Sequence, residues 1–324
     1  MSSTRITVVA EYHDAPAEGI NVVSKTLIDD LRAAGREVRV VPPASLLRRL
    51  PSLLFDRAGL TVFTHGPGVR TVLVSRILRL LSSTHIVWIA TRPDISKCPG
   101  WLKGWRTAHT LICNRARKDL AAVAQGAEVI EQPIGIAPER LVSSGERRWP
   151  ELRARGVPIA VHVGHLRRTR GLDRLIEVKA RLGDQIEIVV VASPYFEPEL
   201  EITQKLKAAG VHIDRGFIAA IADVYLSADL YLFPPPPHSE GAIELPLSVL
   251  EAVACGLPVV STAFGALPRA LNGVAGVHFV DGSLFADTAE KIIVAGLVDR
   301  PQGLPPSLNA HRLAERVLAI TRAT

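Results

Sequence analysis

The 324-residue sequence contains only three cysteines, and their spacing argues against the usual cysteine-dependent sites. Cys98, Cys113 and Cys255 lie far apart and form no Cys-x-x-Cys pair, so neither a disulfide framework nor a zinc site is predicted. The first residues lack the basic and apolar segments of a signal peptide, and no window approaches the ~18 apolar residues of a membrane span. We therefore expect a protein of the reducing cytoplasm.

Aromatic residues are also scarce, at 5% of the chain, and no nucleic-acid-binding motif is present. The glycine fingerprint of dinucleotide-binding proteins is incomplete, because in HGPGVRT the residues Gly66 and Gly68 are followed by Thr71 where a third glycine would stand. These absences argue against a nucleic-acid partner and against a dinucleotide-dependent dehydrogenase. Hydrophobic residues make up 48% and charged residues 22%, which is ordinary for a globular chain with a sizeable core.

Positive charge is concentrated in the first part of the chain. Residues 1–135 hold 18 Lys and Arg against 11 Asp and Glu, whereas the remainder holds 20 against 21. This asymmetry indicates an anionic partner, such as a phospholipid surface or a phosphorylated acceptor, although a solvated basic surface explains it equally well. Segments 45–57 and 69–81 place Arg among Leu and Val, which suits peripheral contact with an anionic membrane, but such faces are more often domain core.

Strands and helices alternate along both halves of the chain, which predicts two parallel sheets covered by helices. In the first half, apolar residues from Ile20 to Leu31 recur at helical spacing, and Gly35 ends that helix. The strands predicted from short apolar runs lie at 6–9, 37–41, 60–64, 85–90, 109–113, 128–133, 159–164, 186–192, 211–213, 228–234 and 258–262. Residues 136–157 lack an apolar period and predict a linker.

Residues 240–262, EGAIELPLSVLEAVACGLPVVST, predict a helix that begins after Pro246 and ends at Cys255 and Gly256. The unpartnered N–H groups of its first turn and the positive end of its dipole would stabilise a diphosphate. Glu251 lies one turn further, in a largely apolar helix, where its carboxylate can accept hydrogen bonds from two vicinal ribose hydroxyls. The ordinary alternative for a helical Glu is a solvated surface position.

Residues 163–177, VGHLRRTRGLDRLIE, predict a strand that ends at Gly164 and a basic loop before the next helix. Cations beside a helix start can balance a bound diphosphate and the charge that develops as it leaves. Arg suits this role because its planar fork can bind two phosphate oxygens together. Taken alone, the segment is equally well explained as a basic surface loop.

Together the two segments resemble the carboxyl-terminal domain of family 4 glycosyltransferases, whose GT-B architecture has two Rossmann-like, doubly wound parallel-sheet domains facing across a cleft. The family's first signature is Gly-Arg-Leu, three variable residues, then Lys-Gly, and this chain has the same spacing from Gly164 to Gly171. The second signature is Glu, seven residues, Glu, and a Cys-Gly-x-Pro-Val-Val tail, which the chain matches from Glu251 to Val260. The resemblance implies a first domain at 1–140, a donor-binding domain at 150–306 and a helix at 307–324 that packs back on the first domain.

In the donor-binding domain, the resemblance implies that Arg170 binds the donor diphosphate, together with His165, which replaces the family's Arg, and with Leu247 and Ser248. Glu251 would bind the ribose. The base would contact Phe217 or Ile218. The family's first Glu is displaced, because Ile243 stands at its expected position, so Glu244 serves if the loop is one residue shorter, and Glu240 serves if the loop bulges.

In the first domain, the resemblance places Gly19 near the donor phosphates and a histidine near the donor sugar, either His65 or His13. It implies a retaining transfer from a nucleotide diphosphate sugar to an unidentified acceptor, without a cofactor or a required metal, and no Asp-x-Asp motif is present. Two other activities fit the same residues. One is a GT-B nucleotide-sugar epimerase, and the other is a non-catalytic nucleotide-sugar binder, which the altered His165 and the shifted first Glu would suit.

Overall fold

The chain forms two compact units, each with its own core. The computed structural model describes residues 5–12, 19–56, 58–65, 68–91, 107–114, 126–194, 196–216, 218–237 and 243–323. Unit 1 comprises Met1–Gly135 and Ser307–Thr324, and unit 2 comprises Ile136–Pro306. The described strands of each unit form one six-stranded sheet in which the paired neighbours run parallel. The predicted pair of doubly wound α/β domains is therefore confirmed.

Unit 1 contains the first six strands and the first three helices of the described chain, together with the last helix, which is described below. The strands are β1 Ile6–Val9, β2 Val38–Val41, β3 Leu60–Phe63, β4 His85–Ala90, β5 Thr110–Cys113 and β6 Glu128–Glu131. The helices are α1 Gly19–Ala33, α2 Leu46–Leu54 and α3 Val69–Leu81. The order β2-β1-β3-β4-β5-β6 reverses direction between β1 and β3, so the chain leaves these two neighbouring strands in opposite directions along the sheet.

The two Arg-containing apolar segments of unit 1 form α2 and α3, which pack against each other. Leu46 and Leu53 of α2 and Val72 and Leu78 of α3 belong to the core of this unit, as the domain-core interpretation predicts. Five large apolar side chains on or beside these helices remain exposed: Leu47, Phe55, Val69, Leu80 and Leu81. Among the described residues, no helix combines the length and the apolar character that a membrane span requires.

Unit 2 contains the remaining strands. They are β7 Ile159–Gly164, β8 Glu187–Ala192, β9 His212–Arg215, β10 Leu230–Phe233, β11 Val259–Thr262 and β12 Val277–Val280. The sequence prediction missed β12, which lies at the edge of the sheet and is only half-buried, so its apolar pattern is weak. The order β12-β11-β10-β7-β8-β9 reverses direction between β7 and β10.

Helices cover this second sheet. In chain order they are α4 Pro150–Arg153, α5 Asp173–Leu182, α6 Leu200–Ala208, α7 Ile221–Leu226, α8 Leu247–Ala254, α9 Leu267–Ala270 and α10 Phe285–Val294. One face of α5, carrying Leu175, Val178 and Leu182, packs into the core of unit 2. The apolar residues of this face recur every three to four positions, which is why the sequence predicts the helix correctly.

Residues 136–149, the first part of the segment 136–157 that the sequence assigns to a linker, are hydrogen-bonded to the rest of unit 2. Asp223 accepts hydrogen bonds from the hydroxyls of Ser143 and Ser144 and from the Ser144 backbone N–H. The Arg148 guanidinium donates to Asp214 at 2.7 Å. This segment is held by hydrogen bonds of polar side chains and not by an apolar face. Its attachment therefore leaves no periodic pattern of apolar residues in the sequence.

The last helix, α11 His311–Ala323, belongs to unit 1 and packs against α1. The His311 Nδ1 atom lies 2.9 Å from both carboxylate oxygens of Asp30 in α1. Gly135 and Leu308 are also in close approach, since a Cβ built on Gly135 would lie 1.9 Å from the Leu308 carbonyl oxygen. The chain therefore requires glycine at this point of return to unit 1.

Candidate functional site

The reversal of strand order in unit 2 marks the expected ligand position. In open parallel sheets, ligands bind at the carboxyl ends of the strands beside such a reversal. The loop after β7 carries His165 and Arg170, and the connection from β10 to α8 carries Glu244. Because the carboxyl ends of parallel strands meet at one edge, the fold brings these separate segments to the same edge of unit 2.

The loop after β7 is held by its glycine and by an arginine that the sequence analysis did not select. Gly171 has φ +68°, and a Cβ there would lie 2.3 Å from the Pro234 carbonyl oxygen at the end of β10. Arg174 donates to this same carbonyl at 2.8 Å and to the Gly282 carbonyl at 3.1 Å. Glycine permits both the left-handed backbone and the close approach. The contacts fix the position of Arg170, which immediately precedes Gly171.

Three basic side chains gather at the carboxyl end of β7. His162 is fully buried in the strand, and its Nδ1 atom donates to the Leu232 carbonyl at 2.9 Å. Burial, together with the electrostatic effects of Arg170 and His165, lowers the pKa of His162 to about 4, although the bond to Leu232 acts in the opposite direction. His162 is therefore neutral at pH 7, while Arg170 supplies a fixed positive charge beside it.

His165 packs on an aromatic side chain. Its ring lies 4.4 Å from the Phe196 ring, centroid to centroid, and the Arg167 guanidinium lies 5.4 Å from the same ring centroid. Cation–π contact of this kind orients an arginine without neutralising it. The loop thus brings Arg167 beside His165.

The start of α8 has the geometry expected of a phosphate-facing helix end. Pro246 precedes the helix, and no side chain caps the first turn. The first backbone N–H groups of a helix lack partners within the helix and carry the positive end of its dipole. Leu247 is buried at this end, whereas the Ser248 hydroxyl donates to the buried Tyr231 hydroxyl. Ser248 is therefore already engaged with the sheet.

Glu251, one turn further along α8, is buried and paired. Arg140 Nε donates to its Oε1 atom, and the Tyr225 hydroxyl donates to its Oε2 atom at 2.7 Å. Burial lowers the pKa of Arg140. The negative charge and the hydrogen bond of Glu251 together have the larger effect, so the pKa of Arg140 is raised overall. Burial and the charge of Glu251 also raise the pKa of Tyr225 well above its ordinary value. Glu251 is therefore not a solvated surface residue, which is the usual position of a Glu in a helix.

Glu244 is also buried, with 7% of its surface exposed. Its carbonyl accepts a hydrogen bond from Ala266 N at 2.9 Å, so the loop after β11 fixes its main chain. Ile243, at the family's expected position for the first Glu, is an apolar buried neighbour. Glu240, the other predicted choice, and Phe217, one of the two predicted base contacts, lie outside the described residues. Ile218, the other, is half-buried just before α7.

In unit 1, Gly19 and His65 follow the two strands between which the sheet order reverses. Gly19 begins α1 after β1, and His65 follows β3. The His65 ring is held from both sides, with Nε2 3.2 Å from Asn21 Oδ1 and Nδ1 3.1 Å from Thr64 Oγ1. The structure therefore places both predicted residues at the carboxyl edge of this sheet. The His65 ring is hydrogen-bonded to Asn21 in the first turn of α1. His13 lies outside the described residues.

Several residues that contact predicted site residues or fix their loops were not selected from the sequence, among them Arg140, Tyr225, His162 and Arg174. Arg140 lies in the segment interpreted as a linker, and Tyr225 lies 26 residues before its partner Glu251. A buried Glu in an apolar helix requires a cation or a hydroxyl donor, but the sequence does not identify which one. Only His162, a polar residue in the apolar run IAVHVG, carried a local signal. Among the described residues, no three His, Cys, Asp or Glu side chains lie together as a metal site would require.

Comparison with solved structures defines the fold class. Sucrose-phosphate synthase from Thermosynechococcus elongatus aligns with a TM-score of 0.70 at 15% identity, covering 99% of this chain and 98% of that one. Anabaena HepE in complex with UDP-glucose aligns with a TM-score of 0.67 at 15% identity, covering 98% and 97%. At this identity the likeness concerns the fold alone. The chain has the GT-B fold, which its two parallel-sheet units already indicate.

The sequence comparison finds similarity within the second unit. Residues 157–295 match the family model described as "Glycosyl transferases group 1". D-inositol 3-phosphate glycosyltransferase from Corynebacterium jeikeium is 31% identical over 183 residues, which is 50% of this chain and 42% of that protein. The chain thus spans less than half the length of this relative. The solved structures show the GT-B fold, and the family match lies within unit 2.

Proposed function

We propose that the chain transfers a sugar from a nucleotide diphosphate sugar to a hydroxyl acceptor, with retention of configuration at the sugar carbon and without a required metal, as in family 4. One observation carries this proposal. Arg170, the start of α8 and the buried Glu251 lie on loops and helix ends beside the reversal of strand order in unit 2. A cation, a helix start and a carboxylate are the groups that a nucleoside diphosphate requires.

Each part of the donor has a partner in this arrangement. The diphosphate lies against Arg170 and the backbone N–H groups of Leu247 and Ser248, where charge and dipole both favour it. His165 lies on the same loop as Arg170. The ribose diol binds Glu251, and the base lies near Ile218 or Phe217. A UDP-glucose complex of the similarly folded HepE supports a donor of this class.

Departure of the diphosphate is the step that needs electrostatic help. Its developing charge is stabilised by Arg170 and by the helix start, which stand where a metal would otherwise be required. In a front-face reaction the acceptor hydroxyl attacks on the side that the diphosphate leaves, so the departing phosphate oxygen can take the acceptor proton. Glu244 and His65 are the residues we assign to the donor sugar.

The acceptor belongs to unit 1 in this proposal. Its basic excess, 18 Lys and Arg against 11 Asp and Glu over residues 1–135, favours an acceptor that carries phosphate. The name of the Corynebacterium relative, D-inositol 3-phosphate glycosyltransferase, supports the same class. Peripheral contact with an anionic membrane stays a prediction, for which the exposed Leu47, Phe55, Leu80 and Leu81 are the candidate residues. Co-sedimentation with liposomes, with and without anionic lipid, tests it.

The experiment that tests the proposed function is a thermal-shift panel of nucleotide diphosphate sugars, followed by donor hydrolysis. A bound donor raises the melting temperature with the logarithm of its concentration over its Kd. Release of free sugar to water, lost in Arg170→Gln, identifies a transferase site. Binding without release identifies a nucleotide-sugar binder, and conversion to an epimeric nucleotide sugar without an acceptor identifies an epimerase. Absence of any shift across the panel contradicts a nucleotide-sugar protein.

A further inference from the structure

The carboxylate assigned to the donor ribose is occupied in the structure. Glu251 accepts one hydrogen bond on each oxygen, from Arg140 Nε and from the Tyr225 hydroxyl. Only 3% of its side chain is exposed. A carboxylate has about four lone-pair sites, so these two bonds do not exhaust it. Its burial, however, keeps a ribose diol from reaching it until one of the two neighbours moves away.

The two neighbours differ in their freedom to move. Tyr225 is fully buried on α7, and its ring packs edge-on against Tyr231 at 5.8 Å, so its displacement would open the core of unit 2. Arg140 lies on a single turn of 3₁₀ helix, Pro138–Leu141, and 26% of its side chain is exposed. Its guanidinium can therefore turn away from Glu251 without disturbing the core.

We propose that Arg140 is a latch, an internal competitor that occupies the ribose position on Glu251 until the donor displaces it. This inference rests on the proposed function of the site. Before binding, the latch neutralises a buried carboxylate that would otherwise be left unpaired. On binding, the ribose hydroxyls replace the guanidinium, and Tyr225 keeps Glu251 in place.

The latch has a consequence for specificity. Two hydroxyls replace a charged pair, and hydrogen bonds to charged groups are stronger than neutral ones, so the ribose alone does not compensate for opening the latch. The diphosphate contacts at Arg170 and the start of α8 must supply the remainder. A nucleoside without phosphates should therefore bind poorly, even though the ribose and base contacts are available to it.

The movement is confined to a short segment. The Arg140 N–H donates to the Ala137 carbonyl at 3.0 Å, whereas the Val142 N atom lies 3.5 Å from the Glu139 carbonyl oxygen, at the limit of a hydrogen bond. The turn that carries Arg140 is therefore weakly closed on its carboxyl side. Beyond it, Ser143 and Ser144 are fixed by Asp223. This turn lies where the chain enters unit 2 from unit 1, so donor occupancy changes the backbone at that connection.

The test compares UDP, GDP and ADP with their 2′,3′-dideoxy analogues by isothermal titration calorimetry at pH 8. Arg140→Gln should bind the preferred ribonucleotide at least ~3-fold more tightly than the unaltered protein, with a smaller change for the dideoxy analogue. The matched control is Arg153→Gln, which removes another arginine of unit 2, paired with Asp229 at 2.7 Å and remote in sequence from Glu251. This variant should leave both affinities unchanged.

The outcomes separate the latch from the proposed function. If the unaltered protein binds none of the three nucleotides, the proposed function fails, and the latch fails with it. If it binds one and Arg140→Gln binds that nucleotide equally or more weakly, the proposed function stands and the latch is wrong. A weakening confined to the ribonucleotide would show that Arg140 positions Glu251 instead of competing for it.

A second measurement needs no variant, so it remains informative if Arg140→Gln does not fold. Hydrogen–deuterium exchange of the unaltered protein should become faster in residues 138–142 when the nucleotide that it binds is added at saturation. Residues 143–149, held by Asp223 and Asp214, should not change. Slower or unchanged exchange in residues 138–142 contradicts the latch.

Discussion

Gly265 lies directly against the main chain of Glu244. A Cβ built on Gly265 would come within 2.4 Å of the Glu244 carbonyl oxygen, and Ala266 N donates to this same oxygen at 2.9 Å. Gly265 has φ +54°, a backbone conformation that residues other than glycine rarely adopt. The loop after β11 therefore sets the position of a carboxylate on a different loop.

Gly265→Ala should displace Glu244 and lower the rate of donor hydrolysis by about tenfold or more, since small displacements of reacting groups are costly. Gly273→Ala is the matched control, because Gly273 has φ +74° but an added Cβ would meet no atom within 4 Å. It should cost about 1 kcal/mol of stability through backbone strain and leave the rate unchanged. Hydrolysis assays and urea unfolding of both variants measure the two effects. Equal losses of rate in both variants would refute a specific role for the contact with Glu244.

His162 should make the free energy of unfolding depend on pH. Its pKa is lowered from 6.5 to about 4 in the folded state, so the unfolded chain takes up the proton first as the pH falls. Stability from this group is complete above pH ~6.5 and decreases towards pH ~4, by about 3 kcal/mol in total. His85 and His109, whose pKa values are lowered mainly by burial, change stability in the same direction.

The comparison that isolates His162 is His162→Asn, whose amide N–H can still donate to the Leu232 carbonyl. Urea unfolding at pH 7 and at pH 4.5 should show a smaller loss of stability on acidification for this variant than for the unaltered protein. His85 and His109 remain in both proteins and cancel from the comparison. The same loss in both proteins would mean that His162 is not held neutral by its burial.

Gly135→Ala should destabilise unit 1 by about 1–3 kcal/mol, because a Cβ would overlap the Leu308 carbonyl oxygen, and neither backbone can yield easily. Gly216→Ala is the control, since Gly216 does not have a positive φ and an added Cβ would meet nothing within 4 Å. That change should stay within ~0.5 kcal/mol. Thermal unfolding monitored by circular dichroism checks both. Equal melting temperatures would contradict the tight return of the chain end to unit 1.

His65→Ala should reduce donor hydrolysis by about tenfold or more with little change in nucleotide affinity, if the ring acts on the donor sugar. Asn21→Ala removes the partner of Nε2 but leaves Thr64 at Nδ1, so it should reduce the rate less than His65→Ala does. Steady-state hydrolysis and nucleotide titrations separate the two parameters. A full rate with His65→Ala would exclude this histidine, and a loss of affinity alone would assign it to binding.

The main elements of the fold could be predicted because their signals are local. Buried parallel strands such as HIVWIA and IEIVVVA are continuous apolar runs, and Gly35 and Gly256 end their helices with positive φ. The edge strand Val277–Val280 and the attachment of residues 136–149 could not be predicted. Half-buried and polar contacts leave no period in the sequence.

The candidate site divides in the same manner. Spacing and resemblance selected Arg170, Glu251 and Glu244 as candidates, since each lies in or beside a short motif, and their roles stay predictions. The roles of Glu240, Phe217 and His13 remain predictions outside the described residues. The partners of Glu251 could not be predicted, since a buried carboxylate requires compensation but does not specify its source.

The sequence by itself determined where strands and helices form and which short motifs carry charge at their ends, because these depend on neighbours within a few residues. Only the tertiary structure decided that Arg140 pairs with Glu251, 111 residues away, and that Gly265 fixes Glu244. Such pairs depend on the spatial order of the parallel strands in the sheet. That order brings the loops to one edge of the sheet, and no local pattern of residues encodes it.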